Sequence, residues 1–234
     1  MNLLLFHQEE INNGVAEIHG QRLEYIKSFI KPEAGDTLRI GIINGLTGEG
    51  TITCIDNKKM ALSLTLHAPP PAPLPVKLIL AMPRPKVLNR IIQHATSMGI
   101  KEIYIIKTWR VEKSYWESPV LTEENLLQQM ITGLEQGKDT VLPAIKIRKR
   151  FKPFVEDELP SISQDTLALV AHPVSKNSCP REAGGSVTLA IGPEGGFIPY
   201  EIDALNLIGF KPVSLGERIL RVETALPVII GKLF

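Results

Sequence analysis

Between residues 189 and 225 the chain reads LAIGPEGGFIPYEIDALNLIGFKPVSLGERILRVETA. Most of the residues that could do chemistry fall in two glycine turns of this stretch. The first is Gly192, Pro193, Glu194, Gly195 and Gly196. The second starts at Gly216 and crowds Arg218, Arg221, Glu223 and Thr224 around Ile219 and Leu220. Small residues let a backbone come close to a ligand, and glycine admits the positive φ angles of tight turns. The first turn lacks the Gly-Lys-Ser/Thr ending of a phosphate-binding P-loop and the spacing of a dinucleotide fingerprint. Its GxxG spacing suits an RNA clamp poorly, because Glu194 would face phosphates. As a bare pattern it reads as a structural turn before it reads as a site.

The elements around these turns place them together. The dense apolar run Val187, Leu189, Ala190, Ile191 predicts a buried strand ahead of the first turn. Pro199 suits a first helical turn, with Glu201 and Asp203 at the positive end of the dipole. Gly209 predicts the helix stop, and Phe210 to Leu215 a second strand. Two turns that follow neighbouring strands line one crevice at the carboxyl edge of a parallel sheet, where open α/β sheets bind ligands.

The rest of the chain supplies that sheet and a smaller unit. Residues 1 to about 67 read as β-rich, with strands at Leu38 to Ile43, Thr51 to Ile55 and Ala61 to Leu66, and a hairpin turn at residues 44–48. A helix over Gln21 to Phe29 would put Leu23, Ile26 and Ile30 on one face, so a small barrel with an inserted helix fits. Five prolines in residues 69–75 predict a semi-rigid spacer. The expected domains are therefore 1–68, a linker at 69–75, and 76–234. From Val76 strands alternate with helices: Val76 to Met82, helix Pro85 to Met98, Ile100 to Ile106, helix Thr122 to Gln136 with Thr122 as cap, Ala144 to Ile147, Leu167 to Ala171 and Val187 to Ile191. That alternation implies a mostly parallel sheet.

Composition narrows the function classes. The chain has 234 residues, 44% hydrophobic and 22% charged, ordinary values for a soluble globular protein. A net charge of +1 does not advertise a nucleic-acid partner, which would have to meet a local basic patch. The strongest basic run is Lys146, Arg148, Lys149, Arg150 and Lys152, although such runs are usually solvated faces. Cys54 and Cys179 lie far apart without metal-ligand spacing, which argues against a disulfide framework or a metal site and for a cytoplasmic protein. The apolar run Leu3 to Phe6 is too short for a signal sequence, and no segment approaches the roughly 20 apolar residues of a membrane span.

Taken as an ordered set, IGPEGG, a helix opening with Glu201, Gly209-Phe210 and the run LGxRILRxETA from Leu215 to Ala225 are far more specific than either turn. On these residues the chain resembles the 16S ribosomal RNA (uridine-N3) methyltransferases of the SPOUT superfamily. Weaker similarity extends to Gly35-Asp36, the helix Leu88 to Gly99, and Glu135-Gln136 followed by Pro143. The resemblance implies an α/β protein: an N-terminal PUA-like β-barrel that grips RNA, followed by a C-terminal SPOUT α/β domain with a deep trefoil knot. It further implies a homodimer, S-adenosylmethionine as cofactor, and 16S ribosomal RNA, within the small ribosomal subunit, as substrate. Pattern reasoning alone would not propose a knot, since threaded chains are rare.

By carry-over, three loops near Ala171 to Pro173, Gly192 to Gly196 and Leu215 to Leu220 hold the cofactor. The residues expected there are Ala171, Gly192, Glu194, Gly195, Gly196, Leu215, Gly216, Ile219 and Leu220, of which the last two and the glycines suit a flat adenine slot. Uridine N3 carries a proton at neutral pH, so its methylation needs proton removal or stabilisation of the charge spreading onto O2 and O4. Arg221 is expected to stabilise that charge, and Glu223 to orient the arginine or accept the proton. An ion pair from Arg218 to Glu223 that merely closes the loop, and a helix-capping Thr224, are the structural alternatives. The expected RNA contacts are Arg22, Arg110, Lys113, Arg148 and Arg150. In the segment Thr108 to Trp116, the two tryptophans could stack on a base or pack in a core or interface. His172 falls in the first loop but is read as a loop residue rather than a base.

The sequence departs from the family where Asp139 replaces the arginine of a Glu-Gln-x-x-Arg pattern, and where Pro227 interrupts the last helix, which should then start late or kink. Its first domain is also sparsely basic, leaving Arg22, Lys27, Lys31 and Arg39. Two other functions remain open: a different SPOUT RNA methylation, such as ribose 2′-O-methylation of transfer RNA, and a non-catalytic RNA-binding assembly factor.

Overall fold

The computed structural model describes residues 2–234, which divide into two compact units. The first runs up to Ala72 and includes Ile131–Leu142; the second is Pro73–Met130 with Pro143–Phe234.

The first unit holds β1 (Leu4–Phe6), β2 (Ile11–Asn12), β3 (Val15–His19), α1 (Gly20–Ile30), β4 (Thr37–Ile42), β5 (Thr47–Ile55) and β6 (Lys59–Ala68). The strands form one curled sheet, a half-barrel, in the order β1-β4-β5-β6-β3-β2. All pairings are antiparallel except β1 with β4. The apolar run at Leu3 to Phe6 is thus explained by burial: β1 is an edge strand beside β4, and all of its side chains are buried. In β3, Ala16 and Ile18 are buried and alternate with exposed neighbours, the period of two that a one-faced core demands. Leu23 and Ile26 of α1 pack into this core, but Ile30 does not; it is 38% exposed because the helix ends there, with Lys31 in the left-handed region at φ 50°.

The second unit carries six parallel strands, β7 (Leu74–Ala81), β8 (Ile100–Ile106), β9 (Ala144–Arg148), β10 (Leu167–Ala171), β11 (Val187–Ile191) and β12 (Lys211–Val213), in the order β12-β10-β11-β7-β8-β9. Its helices are α2 (Pro85–Ser97), α3 (Glu123–Gly137), the short α4 (Phe151–Pro153) and α5 (Leu159–Ile162) on either side of a π-helical turn, α6 (Pro199–Leu207) and α7 (Val222–Leu233). The sheet is covered on both faces. Leu78, Leu80, Ile103, Ile105 and Leu189 face one core, shared with α2 and α7, while Ile79, Ala81, Tyr104, Ile106 and Ala190 face the other, shared with α5 and α6. Strands buried on two faces are predominantly apolar, which is why the central ones read as near-continuous hydrophobic runs. The end of α3 belongs with the first unit, where Ile131 and Leu134 join Leu3, Leu5, Ile43 and Leu142 in a small core.

Three local expectations change. The strand expected at Phe210 to Leu215 is only Lys211–Val213. Phe210 N–H closes the preceding helix on Leu205 O at 3.0 Å, and Ser214 N–H turns instead to Asn177 O at 2.8 Å. Thr224 is not a helix cap. The cap is Arg221, whose extended backbone lets its carbonyl accept from Thr224 N and Ala225 N at 3.0 and 2.8 Å. Nor does α7 start late: it begins at Val222 and carries Pro227 inside it.

Candidate functional site

β10, β11 and β12 are side-by-side parallel strands, so their carboxyl ends deliver three loops to one place. His172, Pro173 and Val174 follow β10, Gly192 to Phe197 follow β11, and Ser214 to Leu220 follow β12. All of these but Glu217, together with Arg110 from beyond β8, Arg221 at the cap of α7, and Val222 and Ala225 of α7, line a cavity of about 490 Å³. This volume falls in the range of roughly 300–1,000 Å³ typical of small-molecule sites. All nine residues expected to hold a cofactor line this wall: Ala171, Gly192, Glu194, Gly195, Gly196, Leu215, Gly216, Ile219 and Leu220.

The glycines make close packing possible. A Cβ on Gly192 would sit 3.1 Å from both the ring and the backbone nitrogen of Phe197, closer than side chains normally approach, so a larger residue would force Phe197 to shift. Gly216 takes φ 116°, a value that L side chains rarely adopt. The apolar part of the wall is Ile191, Phe197, Leu215, Ile219 and Leu220, interleaved with the backbone groups of the turns and joined by Arg110, Arg218 and Arg221. A flat heterocycle with polar edges fits that combination, and so does a nucleoside-bearing cofactor.

Several side chains brace the loops. Glu194 turns its carboxylate onto the backbone N–H of Arg84, ahead of α2, at 3.0 Å. The Arg110 guanidinium donates to the Gly195 carbonyl, so the loop after β8 and the first glycine turn form one wall. Glu201 does more than meet the helix dipole. Only 3% exposed, it accepts the Trp109 N–H at 2.7 Å and the Ile198 N–H at 2.9 Å, fastening the same two loops from below. Neither Arg84 nor the double contact of Glu201 was apparent in the sequence. Pro83 and Pro85 mark a loop after β7, and an acidic residue at a helix start has an ordinary explanation.

The expected catalytic and RNA-contact residues separate. Arg221 lines the cavity, whereas Glu223 stands half-buried in the first turn of α7, outside the lining residues. Among the described residues no ion pair joins Arg218 to Glu223. Of the five candidates for RNA, only Arg110 reaches the cavity. Arg22, in the first unit, lies over the Phe6 ring and bonds to Glu10 and the Leu5 carbonyl. Lys113 is exposed on a 3-10 turn, Arg148 is bound to Glu158, and Arg150 is exposed just before α4. The two tryptophans also part: Trp116 packs against the core, while Trp109 is 80% exposed. His172 lines the cavity, and burial holds its pKa below the usual 6.5, so it is neutral at pH 7.

Comparison with known proteins agrees with this geometry. Residues 70–233 match the model of the RNA methyltransferase domain family. A protein of Treponema pallidum named ribosomal RNA small subunit methyltransferase E is 32% identical over 232 residues, covering 96% of this chain and 87% of the relative. One of Borreliella burgdorferi, named ribosomal RNA small subunit methyltransferase E 1, is 30% identical and covers 96% and 94%. The crystal structure of a ribosomal RNA small subunit methyltransferase E from Neisseria gonorrhoeae bound to S-adenosylmethionine shares the fold, with a TM-score of 0.71 at 16% identity over 97% of this chain and 95% of that one.

Proposed function

Because the chain belongs to the ribosomal RNA small subunit methyltransferase E family, we propose that it transfers the methyl group of S-adenosylmethionine to N3 of a uridine in 16S ribosomal RNA. It is an RNA methyltransferase, and the observation that carries the reading of its site is the single cavity walled by three loops from adjacent parallel strands, with three arginines, Arg110, Arg218 and Arg221, in its lining.

The bound cofactor supplies an electrophilic methyl group on a sulfonium. Ala171, the glycines at 192, 195, 196 and 216, and the backbone of Leu215 to Leu220 would hold its nucleoside part, and Ile219 and Leu220 would supply an apolar surface for the adenine. Glu194, also in the lining, keeps the first turn in place through Arg84. As N3 gives up its proton, negative charge spreads over the uracil oxygens; Arg221 at the wall meets that charge. Glu223, two residues further along, orients Arg221 or accepts the N3 proton. Arg110 and the exposed Lys113 and Arg150 contact the RNA, while Arg148 is occupied by Glu158. The first unit adds RNA affinity, Arg22 holding its own sheet together as it does so. The enzyme works in the cytoplasm, without a metal, as a homodimer on the RNA of the small subunit.

Isothermal titration should show S-adenosylmethionine binding, and ribosomal RNA from a deletion strain should lack N3-methyluridine by nucleoside mass spectrometry. No cofactor binding together with full N3-methyluridine would end the proposal, whereas loss of a ribose-methylated nucleoside from transfer RNA would redirect it.

A further inference from the structure

We propose that the indole of Trp109 is a stacking platform for a base of the RNA substrate at the rim of the cavity. The inference rests on the reading of that cavity as the methyl-transfer site.

Trp109 is 80% exposed, yet its backbone is held firmly. Its N–H donates to Glu201 at 2.7 Å; that carboxylate is almost fully buried and is itself bonded to Ile198 N–H. The next residue, Arg110, lines the cavity and donates to the Gly195 carbonyl. The indole therefore projects to solvent one residue from the cavity wall, on a loop fastened at two points. Trp116 shows that the segment did not need both rings for its fold: that ring packs in the core, and Trp109 does not.

The chemistry of the target asks for such a surface. N3 lies on the Watson–Crick edge of uracil, so the base must leave its pair and its stack before N3 can be reached. Splaying a base bares an aromatic face in the RNA, and a flat side chain at the cavity rim covers it whatever the base. A nucleic acid fits better than a protein surface, because polar residues follow Trp109 in the chain and the cavity one residue away carries cations. Exposed Glu112, Lys113 and Ser114 follow it, and the neighbouring cavity presents Arg110, Arg218 and Arg221. An apolar protein face would need a contiguous patch.

The test uses the full chain. Trp109→Ala should raise the KM for RNA about tenfold, with kcat within about twofold and cofactor affinity unchanged, and Trp109→Phe should recover most of the loss. In the Trp116→Phe protein, whose only remaining tryptophan is Trp109, a single-stranded uridine-containing RNA should quench the indole emission. An unchanged KM in Trp109→Ala, or emission that does not respond to RNA, would overturn the platform. So would a Trp109→Ala protein that changes its sedimentation as an oligomer while its KM for RNA stays put. If the unsubstituted protein transfers no methyl group to RNA, the reading of the cavity fails, and the quenching titration alone then decides the platform.

Discussion

The two edges of the parallel sheet both present cations, and the fold treats them in opposite ways. At the β9 edge, Arg148 Nε lies 2.8 and 2.7 Å from the two oxygens of Glu158, Lys152 Nζ is 3.8 Å from Glu156, and Lys146 sits 5.0 Å over the Tyr104 ring with its ammonium 3.2 Å from the hydroxyl. At the β12 edge, Arg218 and Arg221 line the cavity, and among the described residues no carboxylate pairs with either. The basic run looked the stronger electrostatic feature in the sequence, yet much of its charge is answered locally. Arg218 and Arg221 have no such partner among the described residues. Density of charge along a chain is therefore a poor guide to the charge a ligand meets, because the partner carboxylate arrives through folding.

Removing an unpaired cation should have the largest effect. Arg221→Ala should lower kcat by about 10²–10³-fold, the scale of losing one transition-state charge stabiliser, while cofactor binding by titration and the circular dichroism spectrum persist. Unchanged turnover would erase the distinction between the two edges. A paired cation should behave in reverse. Both Arg148 and Glu158 are more than a third exposed, so Arg148→Ala should cost only about 0.5 kcal/mol in denaturant melts and leave the KM for RNA within about twofold. A large rise in KM there would show that the pair opens for RNA. The smallest effect is expected at His172. Its pKa is held below 6.5 by burial, so the folded state binds fewer protons than the unfolded chain as pH falls through 6.5, and stability drops. His172→Asn should flatten that loss in melts between about pH 5 and 7 and leave the pH–rate profile above pH 7 unmoved. A new inflection above pH 7 would place the histidine in the proton path.

Much of the second unit was legible in the sequence because its strands are buried on both faces. Ile100–Ile106, Leu167–Ala171 and Val187–Ile191 have the expected bounds, since short, predominantly apolar runs flanked by turn residues have sharp ends. β1 was not legible. Its four-residue apolar run, Leu3 to Phe6, makes sense only beside β4, more than 30 residues later, a pairing no local pattern encodes. The same holds for residues 131–142. They continue a helix with no break in composition, yet Ile131 and Leu134 complete a core of the first unit. Turn chemistry was easier to read than side-chain chemistry. Gly192 and Gly216 announced where a backbone bends, but nothing near Glu201 in the chain says that its carboxylate will hold Trp109, 92 residues earlier.

By itself, then, the sequence determined the alternation that builds a parallel sheet, the two glycine turns, and the ordered run from Gly192 to Ala225 that identifies the family. These depend on local conformational preference and on the period of burial, which are properties of neighbouring residues. The tertiary structure alone decided which cations stay unpaired, which tryptophan is exposed, and that Arg221 reaches the cavity wall while Glu223 does not. Each of those depends on strand order: β10, β11 and β12 must lie side by side before three loops share one space, and a side chain's partner is set by what the neighbouring strand delivers.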